Sequence, residues 1–281
     1  MGITEKMDRM QNPAQRLKDQ TCLITGASSG LGKAVAKSMG REGAHIVVNY
    51  YHQREEAQQL VDWLERQPEC GRALAIQCDV SKEDQVSAMF QRAIDHFGTV
   101  DVCVANAGIQ RGHPLHEMPL KAWQSVLDVN LTGQFLCARE AIREFLRRGM
   151  RQEVSRSLGK IIHMGSVHQE IPWAGHANYA ASKGGLTLLM QSICQQYAPL
   201  KIRCNAIAPG AIKTPINQAV WDHEQGRREL LELIPYKRIG VPEDIGSVAA
   251  WLASDEADYI NGTTVVVDGG MSCYPGFSDN G

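Results

Sequence analysis

Short, wholly apolar runs alternate along the chain with longer stretches in which apolar residues recur at helical spacing. The runs TCLIT, HIVVNYY and ALAIQCDV are each followed by an amphipathic stretch, and a further run, VDVCVANAG, comes next. Strand, helix and strand in succession predict parallel pairing through crossover helices. Because apolar residues fill both alternating positions of these strands, helices are expected to cover both faces of the sheet.

The second half of the chain continues the same alternation. It predicts a long helix over 122–149, a strand GKIIHMGS, a helix from about Asn178 to Tyr197, a strand IRCNAIAPG, a helix PEDIGSVAAWLAS and a last strand TTVVVDGG. The pattern therefore predicts an α/β, Rossmann-type, doubly wound fold: a seven-stranded parallel sheet with helices on both faces, in a single domain over 21–281. Residues 1–20 mix charges without the apolar core of a secretory signal and are interpreted as a flexible N-terminal extension.

Composition and charge narrow the classes of partner. The 281 residues carry a formal net charge of −2, which disfavours nucleic acid or an anionic membrane surface as the main partner. No apolar run reaches the roughly 18 residues of a membrane span. We therefore expect a cytoplasmic protein with a small-molecule substrate. The basic stretch RRGMRQEVSRSLGK over 147–160 is interpreted as a solvated loop, with an anion site as the alternative.

Cysteine and histidine spacing gives no sign of disulfides or of a metal. The eight cysteines are scattered without a CxxC pair, as expected for buried free thiols in a reducing compartment. His113 and His116 have Pro114 between them and no third ligand in register. No metal site is predicted.

A glycine-rich segment, TGASSGLG, follows the first strand and places Gly26, Gly30 and Gly32 at the start of a helix. Glycines let the backbone turn sharply and approach a pyrophosphate, which the helix N-terminus attracts. A dinucleotide is the natural ligand, although a plain glycine-rich turn is the alternative because the spacing is not G-x-G-x-x-G.

Two further polar positions follow strands three and four. The carboxylate of Asp79 is placed to accept a hydrogen bond from an adenine amino group, or simply to cap the helix near Lys82. Asn106 begins an NAG segment at the carboxyl end of its strand, where ligands of such sheets bind, or it supplies a turn.

Ser166, Tyr179 and Lys183 form the candidate catalytic set. Tyr179 and Lys183 are four residues apart on a predicted helix, so they share one face, and Ser166 ends the fifth strand. A phenol that works near neutral pH needs its pKa lowered from about 10 toward about 7, roughly 4 kcal/mol of differential stabilisation. A neighbouring ammonium and a nicotinamide charge can supply much of it. A core tyrosine beside a solvated lysine is the alternative.

The order of these motifs carries a resemblance. TGASSGLG, CDV, NAG, Asn130, Ser166, YAASK and PG-x-x-x-T follow one another on a single α/β ladder. From Thr21 to Gly270 the chain resembles the short-chain dehydrogenase/reductase family. Segments such as NYYHQREEA, GSVHQEIPW and APGAIKTPIN look most like the bacterial glucose 1-dehydrogenases of that family.

The resemblance implies roles for individual residues. Tyr179 would accept the proton of a substrate hydroxyl, Lys183 would lower its pKa and hold the nicotinamide ribose, Ser166 would orient the substrate, and Asn130 would anchor a water that links Lys183 to solvent. The implied cofactor-binding residues are Gly26, Ser28, Ser29, Gly30, Leu31, Gly32, Tyr51, Arg54, Asp79, Val80, Asn106, Ala107, Gly108, Pro209, Gly210, Ile212 and Thr214.

The cofactor is expected to be NAD or NADP, with both accepted. The second strand lacks the Asp that would hold a ribose 2′-hydroxyl and repel a 2′-phosphate, while Arg54 and Lys33 are placed to attract one. Tyr51 stands where the glucose enzymes commonly have Arg, which weakens the implied phosphate contact.

The implied reaction is oxidation of an aldose such as glucose at C1 to the aldonolactone. Gln110, His168 and Trp173 are the expected substrate residues, and 214–235 the expected lid, with an exposed surface helix as its alternative. A 3-oxoacyl reductase or another alcohol dehydrogenase, and a non-catalytic NAD(P)-binding regulator, are the alternatives. The resemblance also implies a homotetramer.

Overall fold

Seven parallel strands form one sheet in the order β3-β2-β1-β4-β5-β6-β7 in the computed structural model, which describes residues 15–273. The strands are β1 (Thr21–Ile24), β2 (His45–Tyr50), β3 (Ala73–Gln77), β4 (Val102–Ala105), β5 (Gly159–Met164), β6 (Ile202–Pro209) and β7 (Thr264–Val267). The strand order changes direction between β1 and β4, which opens a crevice at the carboxyl ends of these strands. The predicted seven-stranded parallel sheet is confirmed.

Nine α-helices are described, and they cover both faces of the sheet. They are α1 (Gly30–Arg41), α2 (Arg54–Glu65), α3 (Glu83–Phe97), α4 (Leu120–Leu127), α5 (Gly133–Arg148), α6 (Ala177–Tyr197), α7 (Gln218–Trp221), α8 (Glu224–Glu232) and α9 (Pro242–Ala253). In β1, Cys22 and Ile24 pack with α1, α2 and α9, whereas Leu23 packs with α3, α5 and α6. This alternation into two apolar cores explains why the strands are apolar throughout.

The long helix predicted over 122–149 is interrupted. Asp128–Thr132 form a π-helical turn between α4 and α5. Such turns are rare and often lie at functional sites, and this one carries the fully buried Asn130. Apolar periodicity does not reveal the interruption because both flanking helices keep buried apolar residues at helical spacing, such as Ala122 and Val126 in α4.

Part of the segment assigned to the N-terminal extension packs on the domain. Leu17 is fully buried, and the Arg16 guanidinium pairs with the carboxylates of Glu42 at 2.6 Å and Glu256 at 3.0 Å. Packed structure therefore begins at 15–20, before the predicted boundary. Residues 1–14 and 274–281 lie outside the described part of the chain.

The basic stretch 147–160 is not a solvated loop, so that interpretation is wrong. Arg148 and Arg151 reach Asp101 at 3.1 and 3.0 Å, and Asp101 also accepts the backbone N–H of Thr21. The hydroxyl of Ser155 accepts a hydrogen bond from the Lys160 ammonium at 2.6 Å and donates one to Asp255 at 2.6 Å. The stretch fastens the amino-terminal edge of the sheet, opposite the crevice.

The cysteines are free thiols, and five of the eight are buried. Burial raises the pKa of Cys103 to about 12, so this thiol stays protonated at neutral pH. Within residues 15–273 no helix is long and apolar enough to cross a membrane.

Candidate active site

A cleft of about 1790 Å³ opens at the carboxyl edge of the sheet. This volume exceeds the roughly 300–1,000 Å³ of a drug-sized ligand pocket and has room for a dinucleotide together with a substrate. The predicted residues that line it are Gly26, Ser28, Ser29, Gly30, Leu31, Tyr51, Asp79, Val80, Asn106, Ala107, Gly108, Gln110, Ser166, His168, Trp173, Tyr179, Lys183, Pro209, Gly210, Ile212 and Thr214. Gly32, Asn130 and Arg54 are not on its wall.

The turn between β1 and α1 has the shape of a pyrophosphate cradle. Gly26 has φ +60°, a conformation that L residues rarely adopt. A Cβ on Gly32 would lie 2.4 Å from the carbonyl oxygen of Gly26, so the helix start sits directly against the turn. The α1 N-terminus therefore faces the cleft closely enough for its N–H groups to hold an anion, and the residues fit a dinucleotide.

Asn49 and Gln53 hold this turn in place, and sequence reasoning missed both. The Asn49 side-chain oxygen accepts the N–H of Gly26 at 3.0 Å, and its amide donates to carbonyls of the β3 end. The Gln53 oxygen accepts the hydroxyls of Ser28 and Ser29 at 2.8 and 3.2 Å. The available signal was a lone amide inside the apolar run HIVVNYY, which a buried strand does not otherwise need.

Of the two predicted residues that follow β2, Tyr51 lines the cleft and Arg54 does not. Tyr51 is exposed on the wall of the cleft, and its ring centroid lies 3.6 Å from that of His52 with the two planes tilted by 43°. Arg54 is the first residue of α2 and is exposed at the rim. The wall here is therefore made by His52 and Gln53 rather than by Arg54.

Asp79 does not cap a helix. One of its carboxylate oxygens accepts the N–H and hydroxyl of Ser81 at 3.0 and 2.8 Å, whereas α3 begins after Lys82 without a side-chain cap. The alternative role of Asp79 as the cap of the helix near Lys82 is therefore wrong. Val80 packs on the start of α5, where a Cβ on Gly133 would come within 2.9 Å of it.

Asn106 ties the end of β4 to the glycine turn. Its amide donates to the carbonyl oxygens of Thr25 at 2.8 Å and Gly26 at 3.2 Å. The Thr25 hydroxyl in turn accepts the N–H groups of Asn106 and Ala107. Asn106 therefore shapes the cradle, and Gly108 leads from it toward Lys183.

Ser166, Tyr179 and Lys183 converge at the cleft. Ser166 follows β5 and its hydroxyl accepts the N–H of His168 at 3.2 Å. Burial raises the pKa of Tyr179, and hydrogen bonding to the Ser166 and Gln110 side chains only partly opposes this. The predicted convergence is present, and Gln110 joins it.

The ammonium of Lys183 is deeply buried. It donates to the Met164 carbonyl oxygen at 2.6 Å and lies 5.6 Å from the centroid of the Tyr179 ring. Burial lowers the pKa of Lys183 to about 7. Burial therefore outweighs the side-chain hydrogen bonds at the phenol, and the implied lowering of its pKa by Lys183 stays a prediction. The positive charge of an oxidised nicotinamide bound beside the phenol would lower its pKa.

Asn130 supports the site from behind its wall. Its side chain pairs with both the N–H and the carbonyl of Ile109, at 2.8 and 3.0 Å, and donates to the Ser182 hydroxyl at 3.2 Å. These bonds fix the segment after NAG against α6. The implied water anchored by Asn130 stays a prediction.

A stack of three rings stands beside Tyr179. Trp173 lies between His168 and His176, with centroids 4.4 and 3.7 Å apart and planes 17° and 13° from parallel. The rings of His168 and Trp173 both meet Tyr179 edge-on at about 6 Å. His176 was missed because nothing in the sequence places its ring on Trp173.

The far wall comes from the segment predicted as a lid. Thr214 is fixed by Asn217, whose side-chain oxygen accepts its N–H and hydroxyl at 3.1 and 2.8 Å. Further along, Gly226, Leu230 and Leu233 line the cleft from α8 and the residue after it. Within residues 15–273, no three His, Cys, Asp or Glu side chains come together to hold a metal.

A doubly wound sheet with a dinucleotide cradle and a Ser, Tyr and Lys set at its crevice defines a nicotinamide-dependent oxidoreductase of alcohols. The family model described as enoyl-(acyl carrier protein) reductase matches residues 26–272. The chain belongs to the short-chain dehydrogenase/reductase family, as the sequence motifs indicated.

Individual relatives differ in their substrates. The chain is 46% identical over 261 residues to 3β-hydroxysteroid dehydrogenase 1 of Eggerthella lenta, covering 93% of this chain and 97% of that protein. It is 39% identical to glucose 1-dehydrogenase 2 of Bacillus subtilis, covering 92% and 97%. A gluconate 5-dehydrogenase from Burkholderia cenocepacia, solved with NADP and tartrate, superposes with a TM-score of 0.85 at 32% identity, covering 93% and 98%.

Proposed function

We propose that the protein is an NAD(P)-dependent dehydrogenase of secondary alcohols carried on an apolar ring system, with 3β-hydroxysteroids as the representative class. The observation that carries this proposal is the composition of the wall beside Tyr179. The rings of His168 and Trp173 stand beside Tyr179, and aliphatic side chains from Val167, Ile171 and the segment after Thr214 line the same cleft.

The cleft wall combines polar and apolar side chains. Its polar side chains include those of Ser166, Gln110, His168 and Lys183, and the His168 Nδ1 lies 3.1 Å from the Ile171 carbonyl oxygen, so only Nε2 of that ring is left for a substrate. Its apolar side chains include those of Val167, Ile171, Pro172, Trp173, Leu230 and Leu233. A buried hydroxyl without a partner costs about 1–3 kcal/mol, so a polyol loses affinity here whereas a hydrocarbon ring gains it.

The chain's residues divide the work of the reaction. In oxidation, the Tyr179 oxygen takes the proton of the substrate hydroxyl while Ser166 donates a hydrogen bond to the same substrate oxygen. Lys183 holds its positive charge near the phenol and the nicotinamide ribose. The nicotinamide, when bound, accepts the hydride. Gly26 and the start of α1 hold the pyrophosphate.

Both NAD and NADP are proposed as cofactors. The residues that form the wall directly after β2, Tyr51, His52 and Gln53, include no carboxylate to repel a 2′-phosphate. The NADP of the Burkholderia cenocepacia structure supports acceptance of the phosphorylated form.

Oxidation of an aldose at C1, as in a glucose 1-dehydrogenase, is the second candidate. It is supported by the 39% identical relative and by the polar side chains of Gln110 and His168 at the cleft. Trp173 has both faces covered by imidazoles, so it offers a sugar ring only its edge. We therefore rank the aldose second.

A substrate panel tests the proposal. NAD and NADP reduction is measured with a 3β-hydroxysteroid and with D-glucose, and NADPH oxidation with a 3-oxoacyl thioester. We expect kcat/KM for the steroid to exceed that for glucose at least 100-fold. The ring-alcohol proposal fails if glucose or the thioester is preferred. Turnover of none of them, with NADPH still bound, would favour the regulator.

A homotetramer is part of the proposal. Leu188 on α6 is 69% exposed and Phe135 on α5 is 41% exposed, and apolar side chains on helices favour burial against another copy. Light scattering that gives a monomer mass would contradict it.

A further inference from the structure

The carbonyl of Met164 has two donors, and one of them is the ammonium of Lys183. The second is the Gln134 side-chain amide, at 3.2 Å, while Lys183 Nζ is at 2.6 Å. Gln134 lies on α5, Met164 ends β5 and Lys183 lies on α6. One backbone oxygen thus links β5 to α5 and α6 next to the Lys183 ammonium.

This oxygen is free for side chains because a strand ladder ends here. In β5 the N–H of Lys160 donates to the Asp101 carbonyl, so alternate residues up to Met164 face β4. The β4–β5 pairing stops at Ala105 with His163, and the next N–H in step, that of Ala107, donates to the Thr25 hydroxyl at 3.0 Å. The Met164 carbonyl oxygen therefore has no partner from β4, and it accepts hydrogen bonds from Gln134 and Lys183 instead.

Gln134 also engages a buried histidine. Its side-chain oxygen lies 2.8 Å from Nδ1 of His163, which is fully buried. Because the Gln134 nitrogen must face the Met164 carbonyl, its oxygen faces the imidazole, so Nδ1 carries the proton. Burial and the charge of Lys183 lower the pKa of His163 to about 4, so the ring stays neutral during turnover.

We propose that Gln134 and His163 act as a positioning pair for Lys183. His163 orients the Gln134 amide, the amide fixes the Met164 carbonyl, and the carbonyl holds the ammonium where the phenol and the nicotinamide ribose need its charge. The inference rests on the proposed role of Lys183 in the reaction, and it assigns to these two residues an effect on kcat without contact to substrate or cofactor.

The electrostatic surroundings of Lys183 are simple. The titratable groups that face it are His163 from β5 and Tyr179 on its own helix, while the neighbouring segments present the Gly108 backbone and the Asn130 amide within the described residues. With no carboxylate among them, the Met164 carbonyl is the group that stabilises the charged ammonium. Loss of its orientation should lower the pKa of Lys183 further.

The alternative is a purely structural role, and a double variant separates the two. Gln134→Leu alone leaves both ring nitrogens of the buried His163 without a hydrogen-bond partner, since Nε2 already has none, so reduced stability is expected on either account. Gln134→Leu combined with His163→Leu removes both partners, which restores stability because no polar side chain of the pair is left unsatisfied. A positioning role predicts that activity does not return with the stability.

The experiment compares wild type, Gln134→Leu and the double variant with the preferred alcohol. We expect kcat to fall about tenfold in both variants, the alkaline limb of its pH profile to move to lower pH, and NADPH Kd to stay within twofold. Recovery of the wild-type kcat and pH profile in the double variant would overturn the proposal.

A second measurement keeps this test independent of the proposed substrate. The Lys183 amine is titrated by carbon NMR in protein labelled at the lysine ε-carbon, with Lys183→Arg for assignment. A titration midpoint at least half a pH unit lower in the double variant supports the pair even if no alcohol is turned over. An unchanged midpoint contradicts it, whatever the substrate is.

Discussion

Lys183 and Tyr179 lie one helical turn apart on α6, with the ammonium 5.6 Å from the centroid of the phenol ring. Burial acts on both groups at once: it lowers the pKa of Lys183 to about 7 and raises the pKa of Tyr179. A low-dielectric site disfavours both charged forms. The buried surroundings therefore favour the neutral phenol and make Lys183 give up its proton more readily than an exposed lysine.

The close approach of α1 to the glycine turn predicts a specific loss of cofactor binding. In Gly32→Ala the new Cβ would lie 2.4 Å from the Gly26 carbonyl and 2.7 Å from the Asn106 amide, so the turn must shift. We expect the Kd for NADPH, measured by fluorescence titration, to rise at least tenfold.

Gly184→Ala is the matched control for this substitution. Gly184 is also helical, and the atom nearest to a Cβ added there would be the Gln169 carbonyl oxygen, at 3.8 Å. Helix propensity favours the change by about 1 kcal/mol, and NADPH Kd should stay within twofold. Equal losses in both variants would refute the cradle as the cause.

Gln53 and Arg54 are adjacent in sequence but should affect the cofactors differently. Gln53→Ala frees the hydroxyls of Ser28 and Ser29, and losing about 1 kcal/mol of hydrogen bonding should raise KM for NAD and NADP alike, about fivefold. Arg54→Ala removes a charge at the rim, so KM should rise severalfold for NADP and less than twofold for NAD. Initial-rate kinetics with both cofactors decide between these patterns.

The buried Lys160 makes stability depend on pH at the amino-terminal edge of the sheet. Lys160 is 1% exposed, and burial lowers its pKa to about 8 from 10.5. Below pH 8 the lysine is charged in both states and its burial penalty is complete. Between about pH 8 and 10.5 the folded state has lost the proton that the unfolded state still binds, so stability rises, by an upper estimate of about 3 kcal/mol.

Urea unfolding of wild type and Lys160→Met between pH 7.5 and 10.5 isolates this effect. The difference in unfolding free energy, wild type minus variant, should increase with pH, since other titrating groups are common to both proteins. A difference that stays constant or falls with pH would show that folding does not lower the pKa of Lys160.

The fold was predictable because strand and helix periods alternate without interruption by long loops. The glycine cradle and the Ser166, Tyr179 and Lys183 set followed from fixed spacings on that ladder. Asn49, Gln53 and Gln134 did not, because each acts through a partner distant in sequence, such as Gly26 for Asn49. His176 did not because the sequence does not show that its ring stacks on Trp173. The role of the stretch after Arg147 was hidden because the partner of its Arg151 guanidinium, the carboxylate of Asp101, precedes it by 50 residues.

The most direct test of the account is the substitution Tyr179→Phe, assayed with the alcohol that wild type oxidises fastest. Loss of the phenol oxygen removes the proton acceptor, for which general acid–base catalysis contributes about 10²–10⁴-fold. We predict that kcat falls at least 1000-fold, on the order of that range, while NADPH Kd changes less than twofold. A variant that keeps more than one tenth of the wild-type kcat would contradict a reaction centred on Tyr179.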